Sequence, residues 1–250
     1  MQIHRVGDPD DPAIRAFGAL QEGVYFEPQM LIPAGYIGQM LGERMPGTQA
    51  GSGPRRDVLL VAREDGAAPD APLLGGSLFH YLPEAQAGFG SFMGVALSAR
   101  GRGVARGLHE ARWQTLLELS GGGCRALFID VVNPGRESEE QRRQEREAGS
   151  DALERRRAFQ RLGFRTVDLR YQQPVGGPGG GPVTDLDLLA FLPGWPGRVE
   201  TALVLATMRA YWSPWLGAAG TERALRELNG RAGGRDWLEL LPAWEGPRPG

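Results

Sequence analysis

Apolar residues at Ile14, Phe17, Leu20 and Val24 follow the three-and-four spacing of one helical face and predict a helix over Pro12–Phe26. A second stripe, Val104, Leu108, Ala111, Thr115 and Leu119, predicts a helix over Val104–Leu119 that ends at Gly121–Gly123. Between them the pattern changes to short continuous apolar runs. Arg56–Arg63 (RDVLLVAR), Leu73–Leu82 (LLGGSLFHYL) and Phe89–Leu97 read as strands, with Asp65–Pro72 as a hairpin-like connection. Ile3–Val6 is a short first strand, and Ala34–Met45 a second short helix entered after Pro33. Ala126–Val132 (ALFIDVV) is a strand of the buried type, closed by Asn133-Pro134. Ala152–Leu162 reads as a helix stopped by Gly163, followed by strands at Phe164–Tyr171 and Asp185–Leu192. Gly47–Pro54 and Val175–Val183 have loop composition. Beyond Pro193–Gly197, Val199–Tyr211 and Thr221–Leu228 look helical, and Trp237–Leu241 is short and apolar.

Hairpin-linked strands around one crossover helix imply an α/β (α+β) domain with a mixed, mostly antiparallel central sheet of six to seven strands flanked by helices. Residues 1–192 would form this domain, and 193–250 a C-terminal helical extension packed on it. With 250 residues and 41% hydrophobic content, the chain can bury an ordinary core. A net charge of −2 gives no general pull toward nucleic acid or an anionic membrane. No apolar run approaches the ~20 residues of a membrane span, and no secretory h-region follows Met1–Arg5. The single cysteine, Cys124, excludes an intrachain disulfide and suits a reducing, cytoplasmic setting. The three histidines and Cys124 lie too far apart for a zinc pattern, so no metal is expected. All 28 basic residues are arginine, so no lysine can serve as a base or form a Schiff base. Gly135–Asp151 mixes charges of both signs and reads as a solvated helix or mobile insertion.

Candidate chemistry lies at Ser98–Gly107 (SARGRGVARG), between a strand and the crossover helix. Glycines there would expose backbone N–H groups at a helix N-terminus, which suits a phosphate or pyrophosphate. A P-loop needs a lysine, which the chain lacks, and Gly101-x-Gly103 is followed by Arg106 where a dinucleotide fingerprint needs glycine. Arg100-Gly101-Arg102-Gly103-Val104-Ala105 instead matches R/Q-x-x-G-x-G/A, the acyl-CoA loop of the GCN5-related N-acetyltransferases, and the chain resembles that family. Met93-Gly94-Val95 precedes the loop at the family's usual interval. Ile129–Asn133 looks like its fifth strand, and Ala158–Phe164 like its YxxxGF segment. The resemblance covers residues 3–192.

It implies acetyl-CoA as co-substrate and direct transfer to an amine of a small molecule or peptide, with no nucleic-acid or membrane partner. The fourth and fifth strands would splay, leaving main-chain groups at Met93, Gly94 and Val95 for the pantetheine amides. Gly101, Gly103, Val104 and Ala105 would hold the pyrophosphate, helped by Arg100, Arg102 and Arg106, with Asn133 and Phe159 near the cofactor arm. The N–H of Val95 would polarise the thioester carbonyl. Asp130, His80 and Glu84 are candidate bases, with Glu84 expected to be exposed, and His109 is expected to face solvent. The family often uses a tyrosine in YxxxGF to protonate the leaving thiolate, and here that position is Phe159. Water, or Tyr81, Tyr171 or Tyr211, would have to replace it. Two rivals stay open: a non-catalytic acyl-CoA-binding or regulatory module, and an acyltransferase using a longer acyl chain. Tyr25–Tyr36 falls where this fold shapes its acceptor pocket. The tail tryptophans could pack internally or between the subunits of a homodimer.

Overall fold

A computed structural model describes residues 1–25, 31–42, 55–175 and 180–248. The expected loop Gly47–Pro54, the end of the helix expected over Ala34–Met45, part of Val175–Val183 and part of Tyr25–Tyr36 lie outside these residues. Strands are β1 (Gln2–Val6), β2 (Arg56–Arg63), β3 (Gly75–Leu82), β4 (Ala87–Val95), β5 (Ala126–Val132), β6 (Arg165–Val167), β7 (Leu186–Phe191), β8 (Arg198–Glu200) and β9 (Trp237–Pro242). Helices are α1 (Pro12–Val24), α2 (Ala34–Gly42), α3 (Val104–Ser120), α4 (Glu139–Glu147), α5 (Ala152–Arg161) and α6 (Thr201–Ala232). One sheet runs in the order β1-β2-β3-β4-β5-β7-β6-β9-β8, and its pairings are antiparallel except β4 with β5.

The continuous apolar runs are explained by burial on both faces. Along β2, Leu59 and Val61 face α1 and α2, while Val58 and Leu60 face α3. Farther along the sheet, α6 joins α1 and α2 on their face, packing Val204, Met208 and Trp212 over Phe89, Phe128 and Leu188. Helix α1 starts where the Asp11 carboxylate accepts from the N–H of Ala13 at 2.8 Å, with Pro12 as first helical residue. The mixed-charge segment contains α4, whose Ser138 and Gln141 form a reciprocal cap.

Three expectations are revised. The sheet has nine strands rather than six to seven, because the tail contributes β8 and β9 and β9 pairs with β6. Strand β6 is shorter than Phe164–Tyr171, since after Val167 the chain leaves the ladder. The two tail helices join as α6, broken only at Gly217 (φ 61°, ψ 177°). Residues beyond 192 thus supply one wall of the core. Arg156 of α5 anchors them, donating to Ala243 O at 2.6 Å and Glu245 O at 2.8 Å while paired with Asp187 at 2.7 Å. Trp212 is buried, whereas Trp215, Trp237 and Trp244 keep exposed surface. Among the described residues no helix is long and apolar enough to cross a membrane, and no cluster of three or more His, Cys, Asp or Glu is placed to hold a metal.

Candidate active site

Parallel pairing of β4 with β5 lasts only from Ala87–Gly90 to Ala126–Ile129. Beyond it, β4 continues on β3 while Asp130–Val132 continue on β7, so the two strands part. A bulge marks the fork: Phe79 faces Gly90 and Leu78 faces Phe92, leaving Ser91 as the extra residue. Ala96 N–H donates to Leu74 O at 2.9 Å. Antiparallel bonds alternate along a strand, so Val95 and Met93 turn their N–H and C=O groups into the gap. Among the described residues no strand pairs with this stretch of β4 on that side, and main-chain donors and acceptors so placed suit a hydrogen-bonding guest.

A cavity of about 280 Å³ occupies the gap. Its walls come from both faces of the sheet. Tyr25, Tyr36, His80, Asp130, Tyr211 and Trp215 line the α1–α2–α6 side, and Met93, Arg112, Ile129 and Phe159 the α3–α5 side. The opening therefore runs through the sheet, so two molecules could meet in it from opposite faces.

At the outer end of β4 a 3-10 turn, Leu97–Ala99, leads into the glycine-rich loop. Gly101 (φ 78°) and Gly103 (φ 81°) are both left-handed, and neither has an atom within 4 Å of where a Cβ would stand. Gly103 caps α3 without any side-chain bond, and the first intrahelical N–H to find a partner is that of Gly107, at 3.0 Å from Gly103 O. The N–H groups of Val104, Ala105 and Arg106 thus point outward from an uncapped helix start, a ready anion cradle. The loop's arginines do less than expected. Arg100 donates to Gly149 O and Arg102 pairs with Glu64, each at 2.7 Å, leaving Arg106 exposed at the helix start.

Two polar networks meet the cavity. In one, the Asp57 carboxylate accepts a hydrogen bond from His80 Nδ1–H, the His80 Nε2 lies 2.6 Å from Ser91 Oγ, and Ser91 Oγ lies 3.1 Å from the Tyr211 hydroxyl. Burial and the adjacent Arg55 guanidinium push His80 down to about 4, so the ring is neutral and its Nε2 accepts from Ser91. Burial would raise Asp57, but its bond to His80 and the nearby positive charges hold it below the usual carboxylate range. In the other network, Tyr171 donates to Gln173 at 2.8 Å and approaches Asp130 Oδ2 at 3.3 Å. Burial pushes Asp130 up to about 6, against the lowering effect of Tyr171. Burial also raises Tyr211, and the Asp130 carboxylate adds to it, so that hydroxyl keeps its proton.

Of the residues expected from the sequence, Asp130, His80, Met93 and Phe159 line one cavity, with Tyr171 directly behind Asp130. Glu84 does not join them. It is half-buried in the β3–β4 turn, at the closed end of β4. Asn133 is engaged internally, donating to Asp187 and accepting from the N–H of Gly135, both at 2.8 Å, so its amide is not free for a cofactor arm. His109, expected at the surface, is buried against Phe164 and Phe191. Tyr81 lies in the core on the α3 side near Cys124. The sequence reading passed over Asp57, Ser91 and Arg112. Nothing along the chain marks Asp57 or Ser91, which the β2–β3 register and a bulge bring to His80. Arg112 did carry a signal, a charge one position from the apolar stripe of α3.

No protein-family profile matches this sequence, and no curated protein does. Solved structures do. A protein provisionally described as a GNAT-family acetyltransferase from Bacteroides thetaiotaomicron is 13% identical, with 86% of this chain and 98% of that one covered at a TM-score of 0.52. One described in the same way, from Desulfovibrio desulfuricans, is 16% identical over 76% of this chain and 98% of its own, at a TM-score of 0.47. By the first likeness the chain has the fold of the GCN5-related N-acetyltransferases.

Proposed function

We propose that the protein is an acyl-CoA-dependent N-acyltransferase that joins an acyl group to a primary amine. The observation that carries this reading is the cavity running through the fork, with an ionisable carboxyl, Asp130, in its wall, together with the uncapped start of α3 that follows β4. Acyl-CoA supplies an activated thioester carbonyl. The N–H groups of Gly103–Arg106 would hold its diphosphate, and the turned-out main chain of Met93 and Val95 would bond its amides. A main-chain N–H turned into the gap, that of Met93 or Val95, would donate to the thioester carbonyl oxygen, where an oxyanion would form.

Asp130 takes a proton from the amine. An amine with a pKa near ~10 arrives protonated and gives its first proton to water; as the free amine attacks, a carboxylate titrating near 6 accepts the second, within the useful range of a general base. A thiolate, with a pKa near ~8.5, is more basic than that carboxylate, so the proton passes on to the leaving sulfur without a stronger acid.

Incubation with acetyl-CoA and a panel of small and peptide amines, following free thiol, tests the assignment. Amine-dependent thiol release that Asp130→Asn suppresses supports it. Tight CoA binding without turnover across the panel favours a binding module, for which the phenylalanine at 159 argues.

A further inference from the structure

The fork closes on a buried cation. Arg112 of α3 is fully enclosed, and its guanidinium reaches the apex between Gly90 and Ile129. A Cβ on Gly90 would lie 2.9 Å from Arg112 Nη1, so only glycine leaves room for it there. One bond is made within the protein, from Nη2 to His109 Nδ1 at 3.2 Å, and the Phe164 ring lies 5.6 Å from the guanidinium carbon. Among the described residues Nε and Nη1 have no partner. His109 is neutral, held down to about 3 by burial and by Arg112 itself, so it brings no negative charge. Burial alone draws Arg112 down to about 9, which leaves it charged at neutral pH with no carboxylate beside it. A buried guanidinium without a carboxylate partner among the described residues is expensive, and this one belongs to the wall of a cavity.

We propose that the acyl group carried by this protein's CoA thioester ends in a carboxylate, which Arg112 binds. The inference rests on the acyl-CoA reading above. Its support is positional. Helix α3 starts at the anion cradle and runs back beneath β4, so Arg112, about 12 Å along the helix from Val104, meets the strand where the gap closes. A chain that enters at the glycine-rich loop and lies along β4 brings its acyl tip to this point. The charges agree. Arg112 stands on the cofactor face and Asp130 on the other, where it suits an amine, while the Arg55 cation on that side is already paired with Asp57 at 2.7 Å. A guanidinium edge binds a carboxylate with matched geometry. In the transfer, the arriving ammonium first gives one proton to water; the free amine nitrogen bonds to the acyl carbon, the carbon–sulfur bond breaks, the nitrogen's second proton goes by Asp130 to sulfur, and the terminal carboxylate is unchanged.

Succinyl-CoA and butyryl-CoA differ mainly at that terminus, so calorimetric titration of the full chain with both, with acetyl-CoA and with CoA decides the matter. The expected result is binding of succinyl-CoA roughly tenfold to a hundredfold tighter than butyryl-CoA, as befits a charge-assisted bond. In Arg112→Met that preference is lost while CoA affinity is unchanged, and Arg112→Lys retains part of it. Equal or weaker binding of succinyl-CoA by the wild-type chain, with CoA itself bound, overturns the proposal and leaves the acyl-CoA reading standing. Failure to bind CoA in any form overturns both. Arg112-dependent discrimination among carboxylated amine acceptors, without any among thioesters, assigns the anion to the acceptor and also overturns it.

Discussion

Replacing Asp130 by asparagine keeps the shape of the side chain and removes its titration. In the folded chain this carboxyl is pushed up to about 6, from an ordinary value of 3.8, because burial beside the cavity disfavours its charged form. The folded state therefore holds the proton more tightly than the unfolded state. Stability attributable to this group is full below about pH 4 and is lost as pH rises toward 6. The difference between 3.8 and about 6, at about 1.36 kcal/mol per pH unit, corresponds to about 3 kcal/mol of destabilisation at pH 8. Asp130→Asn should recover up to that amount at pH 8 and little at pH 4, as measured by urea denaturation at the two values. The same change should lower amine-dependent thiol release by roughly a hundredfold or more, the usual contribution of a general base. A variant more stable at high pH and nearly inactive is the signature of a charge kept for function at a cost in stability. Tyr171→Phe supplies the complementary case. It removes a hydroxyl that approaches the carboxylate at 3.3 Å and favours ionisation, so the acidic limb of the pH–rate curve should move to higher pH. An Asp130→Asn protein that is less stable at pH 8, or that turns over normally, refutes the reasoning.

Other changes test the rest of the site. Gly103→Ala meets no neighbouring atom but forces a Cβ into a left-handed backbone at φ 81°, so we expect a loss of about 1 kcal/mol in stability and a marked drop in CoA affinity by calorimetry. Tyr211→Phe keeps the ring stacked on Phe89 at 3.6 Å and loses the bond to Ser91 in the cavity wall, so turnover should fall while the urea midpoint shifts little. Arg156→Met strips Asp187 of one buried partner and frees the Ala243–Glu245 segment, and by denaturation it should cost about 3–5 kcal/mol. An unchanged midpoint there would mean that the tail is held by apolar packing alone.

Periodicity alone located most of the sheet. Strands β2 and β5 have the bounds read from their apolar runs, and α3 differs by one residue, because each of these elements is buried by its neighbours along its whole length. The anion loop was legible because its chemistry is local: a few consecutive residues fix the glycine conformations and the helix start. Strands β8 and β9 were not, since β9 depends on finding the edge of β6, which no pattern within residues 237–242 announces. The reactive centre was legible only in fragments. Asp130 and His80 stood out as titratable residues near strand ends, but the register of Asp57 against His80, the bulge at Ser91 and the approach of Tyr211 from α6 are all contacts between distant segments. Glu84, Asn133 and His109 looked equally eligible along the chain. Sequence determined most of the elements and the glycine-rich entry to α3; tertiary packing decided which ionisable groups meet, because burial and partnership, and with them the proton affinities, exist only once the sheet has assembled.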